Sequence, residues 1–283
     1  MRRHLLFLLA FIITSIYSSA QDKPQVIDTA YMKCQYEYNY LSDTITGKTK
    51  EDLLILRVGH KLSKCTSMYS ERVDSIFALP NWYDIMHQAL NKALAPGASG
   101  VNYPHKRMKE YVYKNYPEVK MTVTDGIALQ SYLYEDSLNA QDWEIKDSSK
   151  TVLGYNCMMA ECDFRSRHWT AWFATDIPIM DGPWKPCGLP GLIMEAYSGG
   201  MQNHFVIIGL QKVDSEQIFF SPSYIGNKKY ERTTRKKFQR LRVKDFYNGL
   251  DVIQIETGID LSEGVDQRSK DVRRYDLEER DYR

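Results

Sequence analysis

The sequence has none of the short motifs that announce an enzyme. There is no HExxH or HxH arrangement, no GxSxG nucleophile turn, no phosphate-cradling loop and no dinucleotide-binding glycine pattern. Asp and Glu are spread as on solvated faces, so no pair of carboxylates stands out for glycosidic chemistry. Charge of one sign is missing as well: 37 Lys and Arg against 36 Asp and Glu leave a net +1. That excludes a protein steered as a whole onto nucleic acid. Beyond the N-terminus no apolar run approaches the roughly 20 residues of a membrane-spanning helix. Cysteine is scarce and odd in number (Cys34, Cys65, Cys157, Cys162, Cys187), and no spacing among them reads as a zinc site. The five histidines after His4 are scattered, and a surface or core position is the expectation for each; a metal site made of His168, His204 and Cys157, with 168 and 204 on strands of one sheet, is the disfavoured alternative. Nothing in the sequence calls for a cofactor.

What is present begins with an address. Arg2, Arg3 and His4 precede the apolar run Leu5 to Ile16, and Ser18-Ser19-Ala20 sets small residues before Gln21. These are the parts of a signal peptide over residues 1–20. The expectation is an exported chain, periplasmic or outer-membrane-associated. It would be unlipidated, because no cysteine stands at the cleavage point. Losing Arg2 and Arg3 takes the net charge from +1 to −1. An oxidising compartment permits disulfides. A Cys34–Cys65 bridge across the first hairpin is expected, although connectivity is not deducible from sequence. Cys157 and Cys162, five apart on one strand, should face opposite ways and not pair.

Twenty Tyr, ten Phe and five Trp favour pleated, half-buried surfaces, hence sheet. In YMKCQYEYNYL, residues 31–41, Cys34, Tyr36, Tyr38 and Tyr40 recur at period two; with LLILRV at 53–58 this makes an antiparallel hairpin behind a loose leader at 21–29. From residue 76 to 95 the period changes. Ile76, Leu79, Trp82, Ile85, Met86, Ala89, Leu90 and Leu94 outline one amphipathic helix starting near Pro80 or Asn81; covering a sheet face is its expected role, and docking a partner or a membrane the alternative. Short strands follow at 112–116, 120–123, 128–135 and 142–145, spaced as an antiparallel meander. Two more are expected at 205–210 and 217–220, with a turn at 213–216 between them. A basic helix over 233–250 then places Phe238, Leu241 and Phe246 on one side, with Arg235, Lys236 and Lys237 among the cations around it; a solvated surface helix is the expectation, a membrane surface or acidic partner the alternative. The fold class is therefore mainly β (α+β), with one domain over 21–258 and a charged tail at 259–283 expected to be disordered and to add nothing to the core.

The densest stretch is WTAWFATDIPIMDGPWKPCGLPGLIMEAY, residues 169–197. Trp169, Ala171 and Phe173 should point one way, and Thr170 and Trp172 the other. Pro183, Pro186 and Pro190 fix φ, while Gly182, Gly188 and Gly191 supply conformations that other residues resist. Trp169, Trp172, Trp184, Leu189, Pro190, Gly191 and Leu192 are the candidate binding residues, as a preformed edge, or else as a plug closing the end of a curved sheet. The run GPWKPCGLPGLIMEA resembles the signature of the GLPGLI family, exported proteins mostly of Bacteroidetes without an established biochemical function. Gly188-Leu189-Pro190-Gly191-Leu192-Ile193 matches that name letter for letter, and LGYNC, WTAWF, DIPIMDGPWK and YLYEDSL are similar too. Cys162 and Cys187 depart from the pattern and suggest a bridge special to this chain. The C-terminal RRYDLEERDYR departs from the family's Tyr-Asn-Pro-type ending. Frequent association of the family with TonB-dependent receptors implies an envelope role.

Two classes of function fit these residues. One is a non-enzymatic envelope module, shaped as a curved antiparallel sheet or half-barrel resembling lipoprotein carriers, that holds an apolar ligand or an outer-membrane partner. The other is a periplasmic hydrolase or thiol-dependent enzyme, which needs an exposed free thiol at Cys157 or Cys187. A third is a transporter subunit docked through the basic helix.

Overall fold

A computed structural model describes residues 24–95, 103–127, 130–220, 229–245 and 276–282. The expected signal peptide, the loop at 96–100 and the end of the basic helix lie outside the described residues.

Twelve strands form one sheet: β1 Gln25–Asp43, β2 Lys48–Gly59, β3 Ser63–Ser67, β4 Tyr111–Lys114, β5 Lys120–Ile127, β6 Gln130–Ser137, β7 Glu144–Val152, β8 Tyr155–Phe164, β9 Arg167–Ala174, β10 Leu192–Ser198, β11 Asn203–Phe220 and β12 Glu231–Arg232. Their order is β12-β6-β5-β4-β3-β2-β1-β11-β10-β9-β8-β7. All pairings are antiparallel except β12 against β6. Helices are few among the described residues: α1 (Met68–Phe77), α2 (Trp82–Ala93) and α3 (235–245). The chain is mainly β, as its aromatic content implies.

The sheet curls. Asp136 on β6 lies nine strands from β8, roughly 43 Å away if the sheet were flat at about 4.8 Å per strand. Yet Arg165, in the turn that joins β8 to β9, reaches Asp136 at 2.5 Å. The inner face of this curl holds one continuous core, in which Tyr36, Tyr38, Leu54, Leu56, Val123 and Tyr134 meet Trp169, Phe173, Trp184 and Phe205. Tyr38 stacks on Phe205 at 4.2 Å between ring centres and donates its hydroxyl proton to Asn203 Oδ1 at 2.9 Å.

Several expectations need correction. The leader from Gln25 to Thr29 belongs to β1, because a long β11 extends its ladder as far as Phe220. The two strands at 205–210 and 217–220 are one, bent by register shifts instead of broken by a turn. The single helix is two. Pro80 has no N–H to continue α1 and disfavours helical backbone at the residue before it. A new helix starts after Asn81 and buries no residue, so it does not cover the sheet. Strand β7 leaves the meander for the far edge. The tail is not without core contacts: Leu277 and Glu279 are buried.

The five cysteines are all free and buried. Cys34 and Cys65 both stand opposite Leu56, one on either side of β2. Two strand spacings, roughly 9.5 Å, exceed the Cα separation that a disulfide spans. Cys162 sits opposite Trp169, whereas Cys187 donates to Asn139 Oδ1 at 3.4 Å, so these two do not bridge either.

Candidate functional site

Strand β9 alternates as its sequence requires, with Trp169, Ala171 and Phe173 inward. Arg165 and Ser166 before it both take left-handed φ (54° and 58°), the backbone of a tight two-residue hairpin turn. After β9 the chain makes a long excursion, 175–191, and returns as β10. Two lysines hold this excursion from beneath. Lys114 on β4 is buried and places Nζ 2.5 Å from Asp181 Oδ1, 2.6 Å from Gly182 O and 3.2 Å from Pro186 O. Burial alone would push this ammonium towards neutrality, but the Asp181 carboxylate outweighs it and holds the group above the ordinary lysine range. Lys185, inside the excursion, is fully buried. Its Nζ donates to Tyr134 Oη at 3.0 Å and to Glu279 Oε1 at 2.7 Å, and again the carboxylates overcome burial.

Between them Trp184 adopts φ 52°, strained for a bulky residue. Its backbone N–H donates to Cys65 Sγ at 3.2 Å, its indole N–H to Glu110 Oε2 at 2.7 Å, and its ring lies 5.8 Å from Trp169. Gly191 does not have a left-handed φ. It is required by close approach: a Cβ there would stand 2.3 Å from Ala174 O.

The structure thus brings most of the candidate residues together, but inside. Trp169, Trp184, Leu189, Gly191 and Leu192 are buried; Pro190 is exposed, and Trp172 is half-buried beneath Lys150, whose Nζ lies 4.5 Å from its ring. The indole N–H groups of Trp169 and Trp172 are buried without an acceptor among the described residues. This constellation plugs the curl and presents little open surface.

Thiol chemistry has no support in the geometry. Burial pushes the Cys157 and Cys187 thiols above their usual range, and neither is exposed as a nucleophile must be. His168 lies 3.0 Å from Asp163, and His204 lies 3.0 Å from Glu195, so they serve different partners. Glu195 also accepts from Lys150 at 2.5 Å, and these donors hold its carboxyl below the usual range despite partial burial. No group of three metal-ligating side chains occurs among the described residues.

Sequence reasoning missed one feature and held a second only as its less favoured reading. Asp125 on β5 is buried, and burial pushes its carboxyl up to about 7 against the pull of Arg242. The other is α2. Trp82, Tyr83 and Leu90 are 40%, 64% and 40% exposed, with Phe77, Leu79 and Leu94 beside them also exposed. The ring centres of Phe77 and Trp82 lie 5.1 Å apart and those of Trp82 and Tyr83 5.8 Å, so these three aromatics adjoin. The signal was present as the apolar period itself, which fixes a face without saying what covers it. No helix among the described residues is long and apolar enough to cross a membrane.

One family model, described as a protein of unknown function (Porph_ging), matches residues 164–195, which span β9, the excursion and the start of β10. No curated protein matches the chain. Solved structures do. One described as PNGF-II in space group P21 superposes with a TM-score of 0.50 at 12% identity, over 75% of this chain and 33% of that one. PNGF-II in space group C2 gives 0.49 and 13%, over 75% and 32%. This chain therefore spans about a third of the length of those proteins. At such identity the likeness is one of fold alone.

Proposed function

We propose that this chain is an exported, non-enzymatic module of the cell envelope that binds an apolar face of an outer-membrane partner. One observation carries this: α2 is a twelve-residue helix with no buried residue, and its aromatic side faces solvent. Monomeric proteins rarely expose contiguous aromatic patches except where something docks. Trp and Tyr are also the residues that most often anchor interfaces. The binding edge moves accordingly from Trp169–Leu192 to the α1–α2 arm. The family match falls on the GLPGLI-like motif, which supports placing the chain with that family, while the envelope setting rests on the signal-peptide reading of residues 1–20.

The test uses the chain as bait for crosslinking in native envelope, beside a Tyr83→Ser, Leu90→Ser double variant. The wild type captures a membrane-receptor protein and the variant loses at least nine-tenths of that product. Equal capture by both would remove α2 as the docking surface. Turnover of any envelope substrate by the purified chain would remove the non-enzymatic assignment.

A further inference from the structure

The curl of the sheet leaves a seam where β6 faces the β8–β9 turn, and what fills that seam is the C-terminal segment 276–282. It is held by charge at nearly every residue. Asp276 pairs with Arg167 at 2.8 Å, and Glu278 with Arg242 at 3.1 Å. Glu279 sits between Lys185 at 2.7 Å and Arg235 at 2.9 Å, with Gln239 Nε2 donating to it at 3.1 Å. Asp281 meets Arg235 at 2.6 Å and Arg165 at 3.7 Å. Three backbone contacts fix the register. Arg280 N donates to Arg165 O at 2.9 Å, Arg167 Nε to Leu277 O at 3.1 Å, and Arg240 Nε to Tyr282 O at 2.9 Å. Leu277 and Glu279 point inward and are buried, while Asp276, Glu278 and Arg280 between and beside them are only partly covered. That alternation is the period of an extended peptide.

The seam is a built receptor for this segment. The folded body sets five cations (Arg165, Arg167, Lys185, Arg235 and Arg242) against the acidic side chains of the segment, with Glu110, Asp125 and Asp136 close to the same cations. Segment 276–282 carries Asp276, Glu278, Glu279 and Asp281 against Arg280, a net −3. Buried cations that lose their counter-charges are strongly unfavourable, so the seam seeks an anionic occupant. Guanidinium groups that meet carboxylates are also the usual means of recognising acidic segments.

We propose that the seam is a recognition site for acidic peptide segments of a partner protein, of the pattern acid–Leu–acid–acid–any–acid. The chain's own C-terminus is its occupant in cis, in exchange with that partner. This surface is independent of α2, and either assignment stands if the other fails.

The test uses the full-length protein and a fluorescein-labelled peptide, DLEERDYR, the sequence of residues 276–283. A full-length Leu277→Ser, Glu279→Gln variant weakens the cis occupant. Fluorescence anisotropy should show it binding the peptide at least tenfold more tightly than the wild type does, with affinity falling as salt rises. A peptide with its acids replaced by lysine should not bind. A folded variant that takes up no peptide overturns the proposal. So does a wild-type protein that is dimeric with exchanged C-termini, because the occupant would then be a second copy. Should the variant not fold, hydrogen exchange on the wild type decides. The Arg280 amide should exchange at least a hundredfold faster than the amides of β9. Equal protection would make the segment an inseparable part of the fold and overturn exchange with a partner.

Discussion

Lys114 shows at the scale of one residue how this fold tolerates charge in its core. Its ammonium meets a carboxylate and two carbonyls of the excursion, and is the cation beside a carboxylate that otherwise accepts from the Gly182 N–H at 2.6 Å. Lys114→Ala removes all three bonds and leaves Asp181 uncompensated. Unfolding in urea should show a loss of about 3–5 kcal/mol, the usual cost of breaking a buried pair. A loss below 1 kcal/mol would mean that the excursion rearranges freely. Gly191 and Gly154 offer a matched pair. Gly191→Ala drives a methyl into Ala174 O and should cost about 3 kcal/mol, the upper range for overpacking. Gly154 has φ +81° but open space around it, so Gly154→Ala should cost only about 1 kcal/mol, the strain of left-handed backbone. Equal midpoints for the two variants would refute the distinction between crowding and strain.

Among the elements, α2 and α3 behave opposite to what their sequences suggest. The amphipathic period of 76–95 reads as a helix laid on a sheet, and the cations of 233–250 read as a solvated helix. In the structure α2 stands in solvent, whereas α3 buries Arg235, Phe238 and Gln239, with Phe238 5.3 Å from the Tyr134 ring. A period says which residues share a face, not what that face meets. Because nothing on α2 is buried, Tyr83→Ser with Leu90→Ser should change stability by less than about 0.5 kcal/mol per site. A larger drop in thermal midpoint would mean that α2 is part of the core after all.

The whole molecule should respond to pH in two opposed ways. Glu195, Glu279, Asp276 and Asp281 have carboxyls held below their usual values by cationic partners, despite partial or full burial. Their stabilisation is present above the unfolded values and is lost as pH falls through the folded ones. Asp125 does the reverse. Its folded value is raised to about 7, so between about 4 and 7 the folded chain keeps a proton that the unfolded chain has released, and stability declines as pH rises. Urea midpoints for the wild type should therefore fall from pH 5 to pH 7. Asp125→Asn, which cannot titrate, should make that slope shallower; an unchanged slope would show that Asp125 is already ionised at pH 5.

Local rules determined a good deal from the sequence alone. Period-two aromatics made Tyr31–Leu41 a strand, Asn81 marked the start of α2, and the alternation of Trp169 to Phe173 was legible because a strand's faces are fixed by backbone geometry. The density of Pro and Gly at 182–191 marked a rigid excursion, though not its purpose. What only tertiary structure decided depends on contacts between residues far apart in the chain. Curling of the sheet brings Arg165 against Asp136 and turns Lys185 from a turn residue into a buried cation. The strand order sets β2 between Cys34 and Cys65, and the curl gives the charged C-terminus a seam to fill. Hydrophobic periodicity carries no record of such encounters, because the energy of a buried ion pair lies in its partner and not in its neighbours along the chain.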